Sequence, residues 1–224
     1  MARFALIPLL ALTACAGSVT VEEIDGFGGV ASALWVYDDD ANAHTIRLTN
    51  VVGGCAKLQA IREAEEEFED ALGDIGFNDL DDYCEIMEEP TKRAAEAGTA
   101  AYHEGAHWLT LSLEGGDEPD DDTYEVDGDP FVAGYIQYFE NSPYEAALSD
   151  YDPDEKNDAL CGIDSDDLEF DTDDWALDDG ELEITAVNDE ANASGTFEGE
   201  LVDPEGDNEG DIRFSFTATY CEIG

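Results

Sequence analysis

Basic residues are scarce. Only 8 Lys plus Arg stand against 58 Asp plus Glu, giving a formal net charge of −50, where a small domain usually carries a magnitude of about 2 to 8. A surface of that sign repels nucleic acid, anionic lipid headgroups and acidic partners. Histidine is almost as rare, with His44, His103 and His107 the whole supply. No C-x-x-C pair occurs, which removes the usual spacing of a structural zinc site. The sequence also lacks a nucleophile elbow, a phosphate-binding glycine loop and a dinucleotide fingerprint. Gly26-Phe27-Gly28-Gly29 has none of the required spacing and reads as a turn before a strand. Paired carboxylates for glycoside hydrolysis cannot be singled out among so many acids. Beyond the first residues, no apolar run approaches the ~20 residues that cross a bilayer as a helix.

Apolar residues are plentiful. A hydrophobic content of 43% with 10% aromatics argues for a packed core despite the charge, and the length suits one domain. Three causes could underlie the acidity. Repulsion among carboxylates is screened by salt, the screening length falling from about 10 Å at 0.1 M to about 3 Å at 1 M, so adaptation to a saline exterior is the reading taken. Divalent cations, which take several carboxylate oxygens each, are the second cause. Mimicry of nucleic acid would need a cytoplasmic partner, and the leader argues against that.

The leader is MARFALIPLLALTAC: one positive charge at Arg3, an apolar run from Phe4 to Leu12, then Leu12-Thr13-Ala14-Cys15. It resembles a bacterial lipoprotein signal with its lipobox. The resemblance implies cleavage before Cys15, acylation of that residue and attachment to the membrane through lipid. Each buried methylene contributes about 0.8 kcal/mol, so two or three chains anchor stably where one does not. Ala16 in place of Asp after the Cys implies, by the same resemblance, the outer membrane. Residues 1–14 are then a signal peptide, 15–24 a short lipidated tether, and 25–224 a single acidic β-rich domain with a helical insert at about 55–101.

Cys55, Cys84, Cys161 and Cys221 remain, an even count that in an exported chain reads as two disulfides with three connectivities. From Cys55 to Leu72 apolar residues recur at helical spacing, with Glu65 interrupting the stripe. A second helix is expected from an N-cap at Asn78 or Asp79, with Leu80, Tyr83, Cys84 and Met87 on one face. Pro90 is expected to start a third helix running to about Ala101. Cys55 and Cys84 both lie on apolar stripes, so the expected pairs are Cys55–Cys84 and Cys161–Cys221.

The remainder alternates with period two. Strands are expected at Val30–Tyr37, His44–Thr49, Trp108–Leu113, Phe131–Phe139, Glu181–Val187, Ala193–Val202 and Asp211–Ile223. Residues 117–130 read as a solvated loop, and 149–179 as an irregular loop with one short strand at Leu168–Phe170. The fold class is α+β: a mainly antiparallel β sandwich or partly closed barrel with an inserted helical hairpin. The segments ASGTFEGEL and FSFTATYC resemble the closing hairpin of β-rich lipoproteins whose function is uncharacterised.

Two patterns carry candidate chemistry. His103-Glu104-Gly105-Ala106-His107 spells H-E-x-x-H, in which two imidazoles one helical turn apart hold zinc and the Glu activates water. Gly105 inside the motif costs about 1 kcal/mol of helix. After His107 the pattern turns to period two, so a helix-to-strand junction is expected with His107 facing inward. No downstream helix offers a gluzincin's third ligand, and the metzincin continuation is missing. A zinc-dependent hydrolase on His103, Glu104 and His107 is therefore the alternative reading. The other pattern is Asp203-Pro204-Glu205-Gly206-Asp207-Asn208-Glu209-Gly210-Asp211, where Asp203, Glu205, Asp207 and Asp211 space oxygens as a calcium loop can, although acidic hairpin turns are commonly just turns. The expectation is a lipid-anchored envelope module that binds or supports rather than catalyses. It needs no cofactor, and calcium is a second alternative.

Overall fold

The computed structural model describes residues 20–22, 29–38, 43–75, 82–114, 122–126, 131–155, 160–164, 172–188, 192–203 and 209–223. The lipobox, the Asn78/Asp79 cap, the Leu168–Phe170 strand, Glu205 and Asp207 lie outside them. Among the described residues twelve elements follow in the order β1 (Thr20–Glu22), β2 (Ser32–Asp38), β3 (Ala43–Thr49), α1 (Gly54–Asp74), α2 (Tyr83–Ala101), β4 (His107–Glu114), β5 (Thr123–Val126), β6 (Phe131–Phe139), α3 (Pro143–Asp150), β7 (Thr172–Asn188), β8 (Asn192–Val202) and β9 (Glu209–Tyr220).

The strands make one mixed sheet, ordered β1-β9-β2-β3-β4-β6-β5-β7-β8, in which β8 also pairs with β9 and β6 with β7. The pairing circuit thus returns on itself and the sheet is ring-like, within the α+β class expected. Stepping between partners from Leu34 through Arg47, Thr110, Tyr135, Ala176 and Val202 leads to Glu209 on β9. Leu34 itself pairs with Thr219, ten residues further along that strand. Strand tilt produces such an offset when a sheet curls round to meet itself.

Alternation sorts the strand residues into two layers. Trp35, Ile46, Leu48, Leu109, Leu111, Ile136, Leu182, Phe197, Phe214 and Phe216 fill the inside of the ring. On the outside of β2 and β4, Leu34, Val36 and Trp108 form a second core with Leu58 of α1, Ala101 of α2 and Phe139. Burial of each large side chain contributes roughly 1.5–3 kcal/mol, so Leu34 and Val36 of β2 and Trp108 of β4 bind the helical layer to the ring. Helix α1 starts at Gly53, whose φ of 72° suits glycine, and its cap comes from another element. Ser32 of β2 accepts the Gly54 N–H at 3.1 Å and donates to the Val51 carbonyl at 2.8 Å.

Several expectations are corrected. Helix α2 runs unbroken through Pro90, so Pro90 does not open a third helix. The carbonyl that loses its donor belongs to Ile86, which is 41% exposed, where water can supply the missing bond. Residues 123–126 are not loop but strand β5, because Tyr124 buries its ring in the inner core. The acidic run after residue 171 is also strand: β7 extends for 17 residues with register shifts between Leu177 and Asp179 and between Ile184 and Ala186. Trp175 and Leu177 pack against the inner core, which outweighs the poor strand propensity of their Asp neighbours. Helix α3 was not anticipated, and Thr20–Glu22, assigned to the tether, pairs with β9.

The disulfides are Cys55–Cys221 and Cys84–Cys161, not Cys55–Cys84 and Cys161–Cys221. Each of Cys55 and Cys84 opens its helix, and α1 and α2 pack side by side, joined by an Arg93–Glu67 ion pair. With a short connection between them the helices are antiparallel, so the two starts lie at opposite ends. A 21-residue helix spans about 30 Å, far beyond the ~6 Å between Cα atoms that a disulfide bridges. Cys221 instead follows β9 to the start of α1, its N–H donating to the Trp35 carbonyl at 2.8 Å. Among the described residues no helix is long and apolar enough to cross a membrane.

Candidate functional site

The H-E-x-x-H segment is a helix-to-strand junction. Helix α2 ends at Ala101, Tyr102 caps it with its N–H on the Gly98 carbonyl at 2.8 Å, and β4 begins at His107. Residues 103–106 close a turn through Ala106 N–H to the His103 carbonyl at 2.9 Å. Gly105 is its third residue with φ 79°, the sign that position takes in a type II turn.

Asn50, the residue after β3, pins the junction, donating to the Gly105 carbonyl at 2.9 Å and accepting the His107 N–H at 3.0 Å. Thr49 Oγ1 donates to the His107 carbonyl at 2.7 Å. These contacts were not foreseen, because residues 49 and 50 are distant in sequence from residue 107 and nothing in the local pattern marks them.

The two imidazoles go different ways. His103 is partly exposed, and its Nδ1 lies 2.9 Å from the Glu104 carbonyl; a carbonyl only accepts, so Nδ1 carries the proton. His107 is buried and in phase with Leu109 and Leu111, so it faces the ring interior beside Tyr138, ring centroids 5.9 Å apart. Burial pushes its pKa below the usual histidine value. His44 lies on the same inner face at the other end of the β3–β4 pair, opposite Leu113. It stacks on Trp35 at 5.2 Å and packs against Tyr37 at 4.7 Å, and burial lowers its pKa too. Among the described residues no group of three His, Cys, Asp or Glu side chains is arranged to hold a metal ion.

A concavity lies elsewhere. An open groove of about 950 Å³ runs over β5, β7, β8 and β9, lined by Glu125, Asp179, Glu181, Glu183, Glu198, Glu200, Asp211 and Arg213 among others. Register explains its charge: Glu125 pairs with Glu181, Glu181 with Glu198, and Glu198 with Arg213. In the neighbouring row Asp179 stands opposite Glu200, and Glu200 opposite Asp211.

Like charges directly opposite one another destabilise an antiparallel pair. One exposed bridge, Glu198 to Arg213 at 3.4 Å, offsets little of this. Within the groove lining Gly199 faces Gly180. A Cβ at Gly199 would sit 2.6 Å from both the Asp179 carbonyl oxygen and the Phe197 ring, so a larger residue would push β7 and β8 apart. The alternating acids of GELEI, TFEGEL and DIRF are visible in the sequence, but their side-by-side rows need the register. Of the calcium candidates, Asp203 follows β8 and Asp211 lies on β9 in the groove wall.

No protein-family model, no curated protein and no solved structure matches the chain.

Proposed function

We propose that the protein is a lipid-anchored, non-catalytic module of the cell envelope, a binding or structural element suited to a saline exterior. The carboxylate rows across β5, β7, β8 and β9 support this most directly. Such rows work against folding in dilute buffer and lose that penalty once salt screens neighbouring charges. The order Leu12-Thr13-Ala14-Cys15 supports the anchor, and two disulfides are in keeping with an oxidising compartment. The opposed settings of His103 and His107 favour a non-catalytic role over a zinc hydrolase, because a zinc site needs both rings aimed at one point.

Expression in a bacterial host with labelled palmitate tests the anchor. The protein should take up label and fractionate with membranes, while Cys15→Ala should do neither; an unlabelled wild-type protein would overturn that part. Stoichiometric zinc in the purified protein, lost in His103→Ala together with peptidase activity, would replace this reading with the hydrolase.

A further inference from the structure

We propose that the margin between the helical layer and the ring at Arg47 is a binding site for a monocarboxylate with an aromatic or apolar body, anchored by the Arg47 guanidinium. The site lies away from the acidic groove and depends on neither the lipid anchor nor the salt reading. Arg47 sits on the outer face of β3, between Leu34 of β2 and Thr110 of β4. Arg62, Lys92, Arg93 and Arg213 each pair with a glutamate, whereas none of the described ion pairs includes Arg47 or Lys57 of α1; of the described arginines, Arg47 alone stands outside them. Its Nε is buried with no hydrogen-bond partner among the described residues. In a chain with 58 acids, an arginine left in that state is the exception. A buried charged donor without an acceptor is costly, and an external acceptor restores the lost bond.

Four further elements bring polar or aromatic side chains to the same place. Tyr102 comes from the end of α2, Tyr135 from β6, Tyr144 from α3 and Glu65 from α1. Burial raises the Tyr102 pKa, Arg47 opposes that rise, and Tyr144, Tyr135 and Glu65 add to it, so Tyr102 lies within electrostatic reach of each of the four. Tyr102 is therefore a neutral phenol. Its ring lies 6.4 Å from that of Tyr144 with an interplanar angle of 21°. Tyr135, two strands from Arg47 on the same row, is 42% exposed.

The chemistry narrows the ligand. A guanidinium presents a planar fork of donors that a carboxylate matches with two parallel bonds, and phenol rings offer apolar walls to a flat body. Repulsion from Glu65 and from the whole acidic surface grows with ligand charge, which favours a monoanion over a phosphate dianion. Glu65 itself is exposed and forms no ion pair with Arg47.

The test is titration of the purified protein with benzoate at constant NaCl, following the Arg47 Nε–H resonance, with benzamide as the neutral isostere. The resonance should shift saturably with benzoate and stay put with benzamide. Arg47→Gln should weaken benzoate binding about tenfold or more, and Glu65→Gln should strengthen it. A resonance indifferent to benzoate, an equal response to benzamide, or unchanged affinity in Arg47→Gln would each overturn the proposal. Should Arg47→Gln not fold, the wild-type titration decides the matter without it.

Discussion

Gly98 of α2 lies directly against the ring of Tyr144 of α3, so closely that a Cβ at residue 98 would overlap the ring carbons. Gly98 is buried, and the two helices pack along this line. Replacing a mid-helix glycine by alanine ordinarily stabilises by about 1 kcal/mol. Here the sign should reverse: Gly98→Ala is expected to destabilise by about 1–3 kcal/mol through overpacking. Urea denaturation checks it, and a variant as stable as wild type would mean that α3 does not sit where it is described.

The disulfide pattern makes a sharp prediction. Peptide mapping without reductant should recover Cys55 linked to Cys221 and Cys84 linked to Cys161. Their sequence separations of 166 and 77 residues imply chain-entropy contributions of roughly 5 and 4 kcal/mol. Cys55→Ala with Cys221→Ala should therefore cost several kcal/mol and free the start of α1. A peptide joining Cys55 to Cys84 would contradict the arrangement of the helical hairpin.

Salt should matter most where the carboxylates stand in rows. Melting temperature should climb with NaCl well beyond 0.15 M. Glu181 faces both Glu125 and Glu198, so Glu181→Gln should stabilise by about 0.2–1 kcal/mol at low salt and by almost nothing at 2 M, where screening has removed the repulsion. A protein whose stability ignores salt would remove the physical basis of the saline reading.

The two inward-facing histidines give a pH dependence. Burial depresses the pKa of both His44 and His107 in the folded chain relative to the ordinary 6.5. As pH falls below about 6.5 the unfolded chain therefore takes up protons first, and stability is lost progressively toward the folded-state values. From pH 7.5 to 5.5 at constant high salt, the melting temperature should fall. His44→Phe removes one titrating group and should flatten that slope. Carboxylates titrate mostly below this window, so their neutralisation does not mask the effect, and equal slopes in variant and wild type would refute it.

Calcium provides a further check on the β8–β9 connection. At high ionic strength millimolar calcium should shift the melting temperature only slightly, since screening already relieves the acidic rows. A large shift abolished by changing Asp207 and Asp211 would instead establish a specific calcium loop.

What the sequence determined by itself were properties that reside in composition and short-range periodicity. Alternating Leu109, Leu111 and Leu113 fixed the inner face of β4, and with it the inward direction of His107 and the break in backbone type within H-E-x-x-H. Spacing of apolar residues from Cys55 onward located α1, and the excess of acids forced the surface to be anionic. Tertiary structure decided whatever depends on which distant segments meet. Cysteines on two apolar stripes look like partners until antiparallel packing sets them a helix length apart. Acidic residues 172–179 look like loop until Trp175 and Leu177 find the inner core. Arg47 is one basic letter inside a strand until Tyr102 arrives from the end of α2. Local pattern records which face of an element seeks water, because that preference acts residue by residue. Partnership across the fold arises only when burial of the whole ring selects one set of neighbours.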